Sequence, residues 1–279
     1  MIRLMSSNLA QRVVTALTLV AGLLLLLVYG SHMGLAAVLF VVGILAVWEL
    51  WRLVQAGDKG SLLVMVCCFS ACAVQFWIDR SAVWVAYALG ILGLLHAVIT
   101  VLVLKYKPSL KTLASGVYGS VLLAAVVFSV LLLREAGFWV LMSALLMVWA
   151  TDVGGYFFGK GFGGKWVQSG LAPQISPKKS WEGALGGVVL ATLVAWVFQM
   201  SPARAWVSQA WVEVLFLTAL VAAYSITGDL VESLLKRQAE VKDSSQLLPG
   251  HGGILDRIDA LIPILPLCAA WVSLRGQLF

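Results

Sequence analysis

The chain alternates between long apolar runs and short polar breaks. Nine apolar segments stand out, over roughly 13–30, 34–51, 61–78, 82–104, 113–133, 136–158, 183–201, 210–228 and 259–274. Each is about long enough, as a helix, to cross a hydrocarbon core of roughly 30 Å. The pattern predicts an all-α, polytopic membrane protein with about nine transmembrane helices. Arg3 and Arg12 precede the first segment, as in a signal peptide. No small-residue cleavage site follows Tyr29, and more spans do, so a retained signal-anchor is expected.

Composition agrees. Hydrophobic residues make up 61% of the chain and the mean hydropathy is +0.98, against roughly 45–50% apolar in soluble proteins. Cys67, Cys68, Cys72 and Cys268 lie inside apolar segments without a CxxC spacing and read as small hydrophobes. The net charge of +6 comes without a soluble basic domain, which argues against a nucleic-acid partner. It reads instead as a loop bias. With a cytoplasmic N-terminus, fifteen of the nineteen Lys and Arg fall on the inside, and only Arg80, Arg134, Arg204 and Arg275 fall outside. Positive-inside loops therefore predict N-in, C-out. The loops 159–182 and 229–258 then share the cytoplasmic face. Residues 1–135 are expected to be a scaffold, with dimerisation and lipid contact as its roles, and residues 136–279 the catalytic region.

Those two loops hold the candidate chemistry. Residues 229–240 predict a helix running out of the eighth span, with Asp229, Glu232, Ser233, Lys236 and Glu240 on one face. A solvated helix end with a Glu232–Lys236 pair would explain part of that stripe. A polar stripe leading to the glycine-rich turn Pro249-Gly250-His251-Gly252-Gly253 more often lines a cavity. Asp256 and Asp259 follow at the start of the last span, where capping would account for one of them. Asp229 and Asp256 together would make an oxygen pocket suited to Mg²⁺, a second cation being left open. Lys236, Arg237, Lys242 and Arg257 suit phosphate oxygens. Acids for a metal and bases for phosphate suggest metal-assisted phosphoryl or nucleotidyl transfer.

The earlier loop points the same way. Asp152 is an ionisable residue at the end of an apolar span, followed by Gly154-Gly155. Residues 159–165 match GxxxxGK and GxGxxG, but Trp166 replaces the required Ser or Thr and no strand precedes, so a flexible cationic loop is the simpler reading. Ser176 is expected as an N-cap and Pro177 at N1, which puts Lys178 and Lys179 in a first helical turn. Cations there oppose the helix dipole, and a bound anion would compensate.

The run Ser233-x-Leu235-Lys236-Arg237-x4-Lys242-Asp243-x-Ser245-x2-Leu248-Pro249-x-His251-Gly252-Gly253-Ile254-x-Asp256-Arg257-Ile258-Asp259 resembles the signature of the phosphatidate cytidylyltransferase (CDP-diacylglycerol synthase) family. Ser176-Pro177-Lys178-Lys179-Ser180-Trp181-Glu182-Gly183 resembles its second motif, with Ser180 where Thr is more usual. The resemblance is specific over 152–260; the first 130 residues match only as hydrophobic spans. It implies the reaction CTP + phosphatidate → CDP-diacylglycerol + pyrophosphate. It also implies Mg²⁺ on Asp229 and Asp256, a homodimer, and the bacterial inner membrane with the active site facing the cytoplasm.

On this reading the lipid phosphate attacks the α-phosphorus of CTP in line, and catalysis is charge neutralisation and alignment. Lys178, Lys179, Lys236, Arg237 and Arg257 go to phosphates. Asp152, Ser176, Ser233, Lys242, Asp243, His251, Gly252 and Gly253 line the substrate. A hydrogen-bonding role for His251 is preferred to general acid catalysis, and Ser233 has no base to make it a nucleophile. Three rivals need the same groups or the same path: a CTP-dependent kinase of lipid alcohols, a CDP-archaeol synthase, and a transporter of phosphorylated solutes.

Overall fold

A computed structural model describes residues 2–55, 57–79, 83–199 and 211–276. Its helices are α1 (Ile2–Tyr29), α2 (His32–Val54), α3 (Lys59–Ile78), α4 (Val83–Tyr106), α5 (Leu113–Ala136), α6 (Phe138–Phe162), α7 (Trp181–Gln199), α8 (Trp211–Gln238), α9 (Leu255–Ile258) and α10 (Leu265–Leu274). Among the described residues there is no strand, only the isolated bridges Ala172–Ser176 and Leu248–Gly252. Arg80 and Arg204, placed on the outer face above, lie outside the described residues, as do the side chains of Arg3 and Arg12.

Seven helices, α2 to α7 and Glu213–Gln238 of α8, are long and apolar enough to cross a membrane, and Leu17–Tyr29 and Leu265–Leu274 are shorter apolar helices. The protein is an all-α polytopic membrane protein, as the hydropathy pattern predicts. Side-chain exposure follows from that solvent. On α4, Ile91, Leu94, Val98 and Val101 recur at helical spacing and are each 57–65% exposed. Such a stripe is at home against lipid and would be an association patch in water.

The chain divides into two compact units. The first comprises Met1–Trp77, Ser109–Leu131 and Leu235–Ile258; the second comprises Ile78–Pro108, Leu132–Leu234 and Asp259–Phe279. In the first unit, glycines let side chains of neighbouring helices approach closely: Phe69 fills the space a Cβ would take at Gly43, Met65 that at Gly116, and Leu50 that at Gly119. Lipid offers no hydrophobic drive between helices, so such packing carries the association. The second unit shows the same device in α6 and α7. A Cβ on Gly154 would lie 2.3 Å from the Gly186 carbonyl oxygen, one on Gly187 2.9 Å from that of Thr151, and one on Gly183 2.8 Å from that of Gly155. Gly155 and Gly159, and Gly183 and Gly187, are each four apart, the spacing that brings two helix backbones together. α10 packs on α4 in this unit, with Leu267 seated against Gly93.

Several boundaries differ from the expected ones. Segment 259–274 is not one helix: after the four-residue α9, 259–264 is a run of turns, and α10 begins only at Leu265 and has ten residues. Pro263 lacks an amide hydrogen for a helix interior, and Pro266 suits the first turn of α10. α8 ends at Gln238, so Glu240, at φ +60°, leaves the helical stripe. α6 continues to Phe162, which makes Gly159–Phe162 helix rather than loop. α7 begins at Trp181, not at Pro177, and its cap is Ser180, whose Oγ accepts from the Gly183 amide at 3.1 Å. The preceding residues fold into their own turn, closed by Leu171 N–H to Lys179 O and Ser176 N–H to Ala172 O, both 2.8 Å.

Candidate active site

Each compact unit carries one polar cluster. In the second unit the centre is Asp229, on α8 where the helix leaves its apolar stretch. Lys179 reaches it from the turn before α7: its Nζ lies 2.6 Å from Asp229 Oδ2 and donates to the Ile226 carbonyl at 3.2 Å. Ser233 Oγ donates to Asp229 Oδ1 at 3.1 Å, one helical turn on. Asp152, from α6, is in electrostatic reach of both Asp229 and Lys179. Asp229, Glu232 and Asp259 each place a carboxylate oxygen within 4.8 Å of the others. Three carboxylates converging beside one amine form a group able to hold a divalent cation, since hard cations take oxygen ligands and acids this close repel one another otherwise. Gly228 permits the approach: a Cβ there would lie 2.3 Å from the Asp259 carbonyl oxygen.

A second feature of this unit steadies the approach to Lys179. Glu182, buried in the first turn of α7, accepts the amides of Trp166 and Val167 through Oε1, both at 2.9 Å. It ties the loop after α6 to the start of α7. Ser176 is half-buried and Lys178 exposed in the turn between them.

In the first unit the centre is Asp256, in α9. Lys236 Nζ pairs with its Oδ1 at 2.7 Å. Its Oδ2 accepts from the Ser244 amide at 2.9 Å, Ser244 Oγ at 3.0 Å and the Gly253 amide at 2.8 Å. The carboxylate is 5% exposed. Burial pushes its pKa up, but the Lys236 ammonium and the Gly253 and Ser244 amides outweigh burial and hold it at about 2, against an ordinary 3.8. Gly252, at φ +81°, sits so close that a Cβ would lie 2.6 Å from Asp256 Oδ2. The glycine-rich turn therefore cradles this carboxylate. His251 is half-buried beside it in sequence, its amide donating to Leu248 O at 2.8 Å.

Of the residues selected from the sequence, the structure brings together Asp152, Lys179, Asp229 and Ser233 in one cluster, and Lys236, Gly252, Gly253 and Asp256 in the other. Arg237, Lys242, Asp243 and Arg257 are exposed. Lys236, expected at phosphate, pairs with Asp256, and Asp259, expected with Asp256 at the start of the last span, also places a carboxylate oxygen near those of Asp229 and Glu232. Sequence reasoning missed Glu49 altogether, and named Glu182 and Glu232 only within a motif and a helical stripe, without a part in the site. All three are buried; for Glu49 the signal was an acid inside an apolar span.

The molecule is thus a polytopic helical membrane protein that gathers carboxylates and amines where its apolar helices end, the equipment of an enzyme acting on phosphate esters at a membrane. A family model described as the Cytidylyltransferase family matches residues 10–274, and the chain belongs to that family. It is 34% identical over 284 residues to a phosphatidate cytidylyltransferase of Haemophilus influenzae, covering 92% of this chain and 96% of that protein. It is 44% identical over 136 residues to the enzyme of that name from Pseudomonas aeruginosa, covering 49% of this chain and 48% of that one. The corresponding Bacillus subtilis protein is 41% identical over 134 residues, covering 48% and 47%.

Proposed function

We propose that this protein transfers the cytidylyl group of CTP to phosphatidate, giving CDP-diacylglycerol and pyrophosphate. The observation that carries the reading is the nearly end-to-end similarity to the Haemophilus influenzae phosphatidate cytidylyltransferase, together with the acid–amine clusters on the signature residues. A phosphate oxygen of the lipid forms the new bond to the α-phosphorus of CTP, and the bond from that phosphorus to the bridging oxygen breaks, with pyrophosphate leaving. The attacking oxygen is already anionic, so the chain needs no strong general base.

The residues divide the work by charge. Asp229, Glu232 and Asp259 would hold Mg²⁺, and the motif resemblance assigns Asp256 to metal with Asp229. Bound there, the ion would supply neutralisation of triphosphate charge. Lys179 and Lys236 place ammonium groups beside these carboxylates, and Lys178, Arg237 and Arg257 present exposed cations for phosphate oxygens. Asp152, Ser176, Ser233, Lys242, Asp243, His251, Gly252 and Gly253 are assigned to substrate contact. The segments 159–182 and 229–258 face the cytoplasm from the inner membrane, residues 136–279 supply the catalytic region on a 1–135 scaffold, and the working form is a homodimer.

The test uses purified protein in detergent with α-labelled CTP, phosphatidate and Mg²⁺. CDP-lipid and pyrophosphate should appear in equal amounts, stop with EDTA and resume with Mg²⁺. Release of CDP with a phosphorylated lipid alcohol would identify a kinase instead. Undiminished turnover in chelator would remove the metal from the scheme.

A further inference from the structure

We propose that Glu49 is a positioning residue for the proposed cytidylyl transfer, setting the geometry of Asp256 and Lys236 from within a membrane span. The inference rests on the reading above that Asp256 and Lys236 serve the reaction. Glu49 lies in α2 and is fully buried. A carboxylate inside an apolar helix is costly and persists where it has partners and a use. Its partners all lie about two hundred residues away. Oε1 accepts from Ser245 Oγ at 2.5 Å and the Ile254 amide at 2.9 Å; Oε2 accepts from Ser244 Oγ at 2.9 Å and the Leu255 amide at 2.8 Å. One side chain thus closes both ends of the loop 244–255.

The contact continues into the site. Ser244 Oγ stands between Glu49 Oε2, at 2.9 Å, and Asp256 Oδ2, at 3.0 Å, with one hydroxyl proton for two carboxyl groups. Asp256 passes the restraint to Lys236 through the 2.7 Å ion pair. Gly253 is where the two carboxyl groups crowd the backbone. A Cβ there would come within 1.9 Å of Ser244 Oγ and 2.5 and 2.6 Å of the Glu49 oxygens, while its amide donates to Asp256. The last glycine of the turn is therefore set by Glu49. None of these bonds stabilises α2 itself. Their effect is to hold the loop that holds Asp256, and a site carboxylate loses precision when its support loosens.

Two variants test this in the purified full-length protein. Glu49→Gln puts a donor nitrogen against the Ile254 or Leu255 amide. Ser245→Ala removes one donor to Glu49 without touching Asp256. Amide hydrogen exchange is followed over 241–258, with 138–199 as internal reference, alongside kcat and KM for CTP. Glu49→Gln should speed exchange at Ile254 and Leu255, leave 138–199 unchanged, and lower kcat by about 10–100-fold, the usual loss for a residue supporting a functional ligand. Ser245→Ala should move both readouts the same way by less. Normal kcat with faster exchange in 241–258 overturns the proposal. So does a lower kcat with unchanged exchange there, or exchange raised equally in 138–199, which marks general destabilisation. Absence of CDP-lipid from the wild-type protein would remove the reaction, and with it the role for Glu49, while unchanged exchange with normal wild-type turnover would refute Glu49 alone.

Discussion

Asp256→Asn is the substitution whose consequences the structure specifies most fully. Asn keeps the size of Asp but has one acceptor oxygen. If that oxygen faces Lys236, the amide nitrogen meets the Ser244 and Gly253 N–H groups. If it faces the loop, the nitrogen meets the Lys236 ammonium. Either way a donor opposes a donor in a site where the carboxylate was 5% exposed. An orphaned buried group costs about 1–3 kcal/mol. The acidity of the native group gives a second estimate: a fall from 3.8 to about 2 is worth about 2–3 kcal/mol at roughly 1.4 kcal/mol per unit. The two agree, and a midpoint drop of about 5–10 °C in detergent follows. The sign of the pH dependence is fixed. A carboxyl held below its unfolded value stabilises fully above about pH 4, and that contribution is lost as pH falls through about 2. The gap between wild type and variant should therefore be widest near neutrality and close over that window. Turnover should fall by about 10²–10⁴ if the residue acts on the triphosphate. A variant that melts within about 1 °C of wild type at pH 7 refutes the geometric argument; one with near-normal turnover refutes the functional assignment.

Other substitutions probe separate links. Gly253→Ala forces a methyl group onto Ser244 Oγ and Glu49 and should cost about 3 kcal/mol or more, read as a lower melting midpoint and lost turnover; wild-type behaviour would mean the close approach is not real. Asp229→Asn should lower turnover by about 10²–10⁴ while the protein still inserts, and the Mg²⁺ concentration for half-maximal rate should rise; an unchanged Mg²⁺ response would take Asp229 out of the metal site. Lys179→Met removes the ammonium 2.6 Å from Asp229 and should reduce turnover more than it reduces melting temperature, and the reverse order would make the pair structural. A cysteine at exposed Gln246, in a cysteine-free background, should react with impermeant reagents from the cytoplasmic side alone; labelling from outside intact cells would overturn the orientation.

What the sequence determined by itself is the membrane character, most of the helical spans and where the charged residues gather. Lipid gives an apolar segment one economical way to satisfy its own amides, so length and hydropathy specify a helix. A short charged island between such segments is equally plain, because Asp, Lys and His are rare there. Pro263 was also legible as a break, although the apolar run of 259–274 reads as one span. Only the tertiary structure decided which charges meet. Lys179 and Asp229 are fifty residues apart, and nothing near either names the other. Lys236 had Glu232 four residues earlier as a local partner, yet it pairs with Asp256. Glu49 is a single acid in an otherwise uniform span, without a motif, and its partners are drawn from a loop about two hundred residues on. Periodicity carries information along one element. A buried carboxylate is stabilised by donors that converge on it in space, and only the fold brings those donors together.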